Sequence, residues 1–148
     1  MDTIQELTKY LEKEHADFEM IAQDQPILSV EDAKQYYDIK KAAPVFILES
    51  DQGLIACIMS ANRGRMDFNA MKHKFGYSKL NMADRKNIKK LTGFDAGKVP
   101  LVGLNLAVIF DDALLQYDYI YGGTGDELVT LKINPADVKR LNKIIGIY

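Results

Sequence analysis

Apolar residues recur along the chain with two different periods. Ile4, Leu7 and Leu11 fall at helical spacing behind Thr3-Ile4-Gln5-Glu6, where a threonine and a glutamate three positions on form a capping box. Residues 18–22 read as a short strand. Ser29-Val30-Glu31-Asp32 opens a second helix by similar cap chemistry, running through Ala33 to Tyr37. Residues 45–49 and 54–60 are continuous apolar runs rich in β-branched side chains, and the turn signal Asp51-Gln52-Gly53 joins them into a hairpin. Asp67 caps a helix with Phe68, Met71 and Phe75 on one face and Gly76 at its end. Residues 79–82 return as strand. Asp84 caps a further helix with Ile88 and Leu91 inward, and Gly93 stops it. A loop over 94–105 precedes a buried strand at 106–110. Two more strands, 119–121 and 128–133, flank Gly122-Gly123-Thr124-Gly125. Asn134 as cap and Pro135 at the first helical position start a last helix, with Ala136, Val138 and Leu141 inward.

Strands and helices mix without strict β-α-β alternation, which predicts an α+β fold with a mainly antiparallel or mixed sheet. The runs at 45–48, 54–58 and 106–110 are too continuous for strands wet on one side, so they belong at the centre of that sheet, with the helices of 67–75 and 84–91 packed against it. The 148 residues suit one domain spanning 1–148. With 47% hydrophobic and 27% charged residues, the chain is not disordered as a whole. Its longest apolar stretches, 42–48 and 54–59, fall far short of the ~20 residues of a membrane span. The acidic, polar start lacks the features of a signal peptide, and the single Cys57 excludes an intramolecular disulfide. The expectation is a soluble cytoplasmic protein.

The net charge of −2 conceals an asymmetry. Residues 1–62 carry 5 basic and 12 acidic side chains, a balance of −7; residues 63–98 carry 10 and 3, a balance of +7; residues 99–148 carry 4 and 6, a balance of −2. The middle third is a basic island. It either presents a face to phosphates or is a solvated face whose counter-charges come from the other thirds. Arg63, Arg65, Lys72, Lys79, Arg85 and Lys86 are its candidate nucleic-acid contacts, expected on or near one face.

Familiar catalytic signatures are absent: no Walker motif, no HExxH, no CxxC and no GxSxG. His15 and His73 are far apart, and no compact set of metal ligands accompanies either, so neither a metal nor a cofactor is expected. Cys57 reads as a small hydrophobe within a strand, and Met66, Met71 and Met82 as core residues. Asp111-Asp112 closes a buried strand; it is either a carboxylate pair for acid–base work or a turn-forming cap. Two glycine-rich segments remain, 93–103 and 122–125. Their backbone N–H groups could cradle an anion or an ester carbonyl; alternatively each is a loop.

In order along the chain, these segments resemble the YbaK-like family, free-standing relatives of the prolyl-tRNA synthetase editing domain. Thr92-Gly93-Phe94, Gly97, Val99, Pro100 and Gly103 are similar to the family's TG(Y/F)xxGxVxPxG loop. The apolar strand ending in Asp111, the segment Ile120 to Gly123, the closing helix from Pro135 to Leu141, the KLNMAD segment of 79–84 and the hairpin also match, covering about residues 16–145. The resemblance implies a compact α+β domain with a mixed, barrel-like sheet flanked by helices. It further implies hydrolysis, in trans and without a metal, of the ester between a wrong small amino acid and a tRNA. The aminoacyl pocket would be lined by Gly97, Val99, Pro100, Leu101, Gly103, Tyr121, Gly122, Gly123 and Thr124, with Asp111 the one nearby carboxylate. The implied partners are mischarged tRNA and an aminoacyl-tRNA synthetase, with no DNA and no membrane. Two departures stand out. Many members carry a lysine at the start of the strand that here begins Ala42-Ala43-Pro44-Val45; it aligns near Pro44, so its charge is missing, and Lys40 and Lys41 would replace it only with a slip in register. The family loop also often has its proline where this chain has Leu101. A non-catalytic tRNA- or synthetase-binding relative, and a binder of a free amino acid or aminoacyl-adenylate, are therefore the competing readings.

Overall fold

The computed structural model describes residues 3–148, the side chain of Thr3 excepted, so the Thr3–Glu6 cap lies outside the described residues. The chain runs α1 (Thr3–Lys13), β1 (Phe18–Ala22), α2 (Val30–Ala33), β2 (Val45–Ser50), β3 (Gly53–Ile58), α3 (Phe68–Phe75), β4 (Leu80–Met82), α4 (Arg85–Thr92), β5 (Ala107–Phe110), β6 (Ile120–Gly122), β7 (Val129–Ile133), α5 (Pro135–Leu141) and β8 (Lys143–Ile147). Short 3-10 turns at Ile39–Lys41, Ala61–Arg63 and Asp112–Gln116 complete it.

The α+β class holds, but the strands do not close into a barrel. They form two sheets, a three-stranded one in the order β1-β7-β6 and a five-stranded one in the order β4-β2-β3-β5-β8. The small sheet is antiparallel throughout. The large one is mixed: β4, β2 and β3 pair antiparallel, then β3, β5 and β8 run parallel. A single bridge between Ala42 and Tyr121 links the two, reinforced where Ala43 N–H donates to the Tyr121 carbonyl at 2.8 Å.

Alternation along the central strands explains why the apolar runs are continuous. Ile47, Ala56, Ile58, Val108 and Phe110 point to one face, where they pack with Ile120, Leu131 and Ile133 of the small sheet and with Leu7, Leu11, Ile88 and Val138 of the helices. Leu48, Ile55, Cys57 and Ile109 point to the other face, beneath Met71 of α3. α4 and α3 therefore cover opposite faces of the large sheet.

The local stop and start signals act as predicted. Ser29, Asp67, Asp84 and Asn134 each accept a backbone N–H as N-cap, and Gly76 and Gly93 end their helices in the left-handed conformation. Several details differ. α2 stops at Ala33 instead of Tyr37, giving way to turns in which Tyr36 N–H and Tyr37 N–H bond back to the Ala33 carbonyl. Leu91, expected inward, is 63% exposed, because Ile88 alone turns α4 toward the core. Ala136 is exposed, while Pro135 and Val138 make the buried contacts of α5. Met82, expected in the core, is exposed on β4. The edge strand β8 is absent from the sequence reading; it pairs in parallel with β5, a contact that local pattern does not announce.

Phe110 is fully buried where the two sheets meet. Phe110→Ala should lower stability by about 3–5 kcal/mol, read as a shift in the urea midpoint at unchanged slope.

Candidate active site

A cleft of about 710 Å³ opens between the start of β2, the loop after α4 and the small sheet. One wall is apolar, built from Leu28, Val30, Pro44, Val45, Phe46 and Ile88. The floor is largely backbone. There the loop of 94–105 lies directly on the end of β6: Leu101 N–H donates to the Gly123 carbonyl at 3.0 Å. A Cβ on Gly123 would collide with the Val99 carbonyl, and one on Gly122 with the Leu101 side chain. Gly97 makes the third close approach, since a Cβ there would lie 2.6 Å from the Leu28 carbonyl oxygen. Glycine is required at these points by proximity alone.

Of the nine residues expected to line an aminoacyl pocket, Gly97, Val99, Tyr121, Gly122 and Gly123 line this cleft. Pro100 and Leu101 are buried behind them, Leu101 packing beneath Gly122. Gly103 lies away from the cleft at a positive φ of 94°, facing Leu7. Thr124 is buried, its hydroxyl donating to the Val129 carbonyl at 2.8 Å and accepting from Asp126 N–H; it shapes the turn and is not among the residues that line the cleft. Pro44, where the family lysine would align, stands in the cleft wall. Lys40 and Lys41 lie in the 3-10 turn immediately before it and are not among the lining residues.

Sequence reasoning missed the rest of the lining, because tertiary packing brings it from distant segments. Tyr37 stacks on Tyr121 with ring centroids 4.3 Å apart and 13° between planes. Burial, and then the neighbouring Tyr121, pushes the Tyr37 hydroxyl up to about 12, so it stays protonated. Lys98 reaches Asp95 at 3.3 Å and Glu127 at 3.5 Å, tying the glycine loop to the turn before β7. Its pKa is raised, first by the hydrogen bond to Asp95 and then by the charge of Glu127, so it is an ammonium ion. Arg85 is the other cation of the lining, with no ion-pair partner among the described residues.

Asp111 has the turn role. It is fully buried and caps the 3-10 turn Asp112–Gln116, accepting from Ala113 N–H and Ser60 N–H at 3.0 Å each. Arg63 closes the arrangement with a two-point contact, Nε to Oδ2 at 2.7 Å and Nη2 to Oδ1 at 2.6 Å. Burial alone would raise the Asp111 pKa, but Arg63 and the two backbone donors outweigh it and hold the carboxyl below its ordinary value. Asp111 does not line the cleft, and Asp112 pairs with Lys139 at 3.1 Å on the surface. Cys57 is buried, and burial followed by the Asp111 charge pushes its thiol up to about 12, which keeps it a hydrophobe.

The basic island does not share one face. Arg63, Arg65 and Lys72 sit on or just before α3, whereas Arg85 and Lys86 open α4 on the opposite face of the sheet, beside the cleft. Lys79 pairs with Glu49 at 3.7 Å.

Comparison with known proteins gives this geometry a context. The model of the aminoacyl-tRNA editing domain family matches residues 24–141. A solved structure of a proposed trans-editing enzyme for prolyl tRNA synthetase superposes with a TM-score of 0.83 at 19% identity, covering 100% of this chain and 96% of that one. A hypothetical protein superposes with a TM-score of 0.83 at 20% identity, over 95% of this chain and 96% of its own. A scaffold protein from work on grafting linear epitopes does so with 0.83 at 21% identity, over 99% and 96%. At these identities the likeness is one of fold.

The Arg63–Asp111 contact makes stability depend on pH in a defined direction. Because the folded carboxyl has the lower pKa, the unfolded chain takes up the proton first on acidification. The contribution is complete above the unfolded value of about 4 and is lost as pH falls below it. Asp111→Asn should cost on the order of 2 kcal/mol near neutral pH, and the gap between variant and wild type should narrow below about pH 4, as measured by urea unfolding across pH.

Proposed function

Since the chain belongs to the aminoacyl-tRNA editing domain family, we propose that it is a trans-acting deacylase that hydrolyses the ester between a mischarged small amino acid and its tRNA. The observation that carries this reading is the glycine junction at the cleft floor. Gly97, Gly122 and Gly123 bring backbone to the surface of a cleft with an apolar wall for a side chain. An ester is already activated, so the reaction asks mainly for positioning and for hydrogen-bond donors aimed at the developing oxyanion. Backbone N–H groups supply such donors without a titratable side chain, consistent with a wall that has Pro44 where a lysine would align. The stacked Tyr37 and Tyr121 rings and Arg85 at the rim suit the terminal nucleoside and its phosphate.

One observation favours a second reading, a non-catalytic relative that binds tRNA or a synthetase: the cleft wall at Pro44 carries no charge. The two are separated by following amino-acid release from a panel of mischarged tRNAs.

The wild type should release a small amino acid slowly but measurably above the buffer rate. Gly97→Val, whose Cβ would meet the Leu28 carbonyl oxygen, should abolish release and also lower the melting temperature, with circular dichroism at the assay temperature showing the variant still folded. Pro44→Lys, which puts an ammonium on the wall, should raise turnover. Binding of tRNA with no release from any member of the panel would establish the non-catalytic reading instead.

A further inference from the structure

The ten cations of residues 63–98 divide by what they already touch. Arg63 is held by Asp111 and lies 4.8 Å over the Tyr148 ring. Lys74 stands over the rings of Phe75 and Tyr148. Lys79 faces Glu49, Lys89 faces Asp95 at 3.8 Å, and Lys98 is shared by Asp95 and Glu127. Arg65, Lys72, Arg85, Lys86 and Lys90 remain with neither an ion-pair nor a ring partner among the described residues. Three of these five lie on α4, and all three are exposed.

α4 spends its one buried position, Ile88, on the core. At 100° per residue, Lys86 and Lys90 then point away from the sheet, while Arg85 turns toward the cleft, which it lines. The helix itself carries no acidic side chain, and its cap Asp84, which accepts from Lys86 N–H at 2.8 Å, forms no ion pair with these cations. The result is a set of exposed cations without ion-pair partners, Lys90, Lys86 and Arg85, that ends at the cleft mouth. Arg65 and Lys72, on the opposite face of the sheet, are not among the residues that line the cleft.

From this division we infer that α4, and not the α3 face, is the track for a nucleic-acid backbone: the phosphates of a tRNA acceptor end cross Lys90 and Lys86 and pass Arg85 into the cleft. The inference rests on the deacylase reading for the identity of the RNA, but its test does not depend on turnover. Exposed cations without ion-pair partners that lead into a concave site complement a polyanion, and each phosphate contact releases counterions.

The test is the affinity of uncharged tRNA measured across a salt series for three proteins: wild type, Lys86→Glu/Lys90→Glu, and Arg65→Glu/Lys72→Glu. The α4 variant should bind at least tenfold more weakly at low salt, with a log–log salt slope shallower by about 2. The α3-face variant should keep the wild-type slope, and melting curves should show both variants folded. Equal losses in both variants, or a loss confined to the α3-face variant, would overturn the assignment. So would binding of the wild type to phosphatidylserine vesicles but not to tRNA. Hydrolysis of an aminoacyl-adenosine ester, which carries no phosphate, is followed in parallel with wild type alone. Its absence would count against the deacylase reading and leave the salt series to decide the RNA track.

Discussion

The close approach of the 94–105 loop to the end of β6 is the constraint on which the rest of the molecule depends. Two sheets share a core here but are joined by a single bridge, at Ala42 and Tyr121. The loop supplies the second connection, with Leu101 N–H on the Gly123 carbonyl and Val99 pressed against Gly123 itself. Any side chain at Gly123 would hold these backbones apart. Leu101 and Val102, fully buried just beyond the contact, anchor the loop in the shared core. The cleft floor is thus a by-product of packing, and its shape is as rigid as the core that sets it.

Charge is arranged around that floor in two different ways. Where it is buried it is satisfied: Asp111 takes two backbone donors and the Arg63 guanidinium, and among the described residues no buried side-chain polar atom lacks a partner. Where it borders the cleft it is divided. Lys98 is neutralised and acts as a tie between loops, whereas Arg85 and the outer cations of α4 are left unpaired. The first arrangement serves stability, and the second leaves long-range potential for a charged partner.

Much of the fold was legible in local signals. Cap residues and left-handed glycines are read one turn at a time, and Ser29, Asp67, Asp84, Asn134, Gly76 and Gly93 each behave as their neighbours dictate. Three strands central to the large sheet were legible because burial on both faces leaves an unbroken apolar run. Long-range features were not. β8 becomes a strand by pairing with β5, and the Leu91 exposure depends on how α4 docks. The site divides in the same way. Gly97, Gly122 and Gly123 stood out as glycine-rich segments, but nothing local to Tyr37, Pro44 or Lys98 shows that they share a cleft. Nor does the clustering of basic residues in 63–98 show that a sheet separates α3 from α4.

The most direct test of this account is an amide chemical-shift titration with a non-hydrolysable 3′-amide analogue of an aminoacyl-adenosine. The largest shifts should fall at Gly97, Val99, Gly122 and Gly123, with the backbone amides of α3 unmoved. Shifts centred on α3, with the glycine junction silent, would contradict the placement of the site.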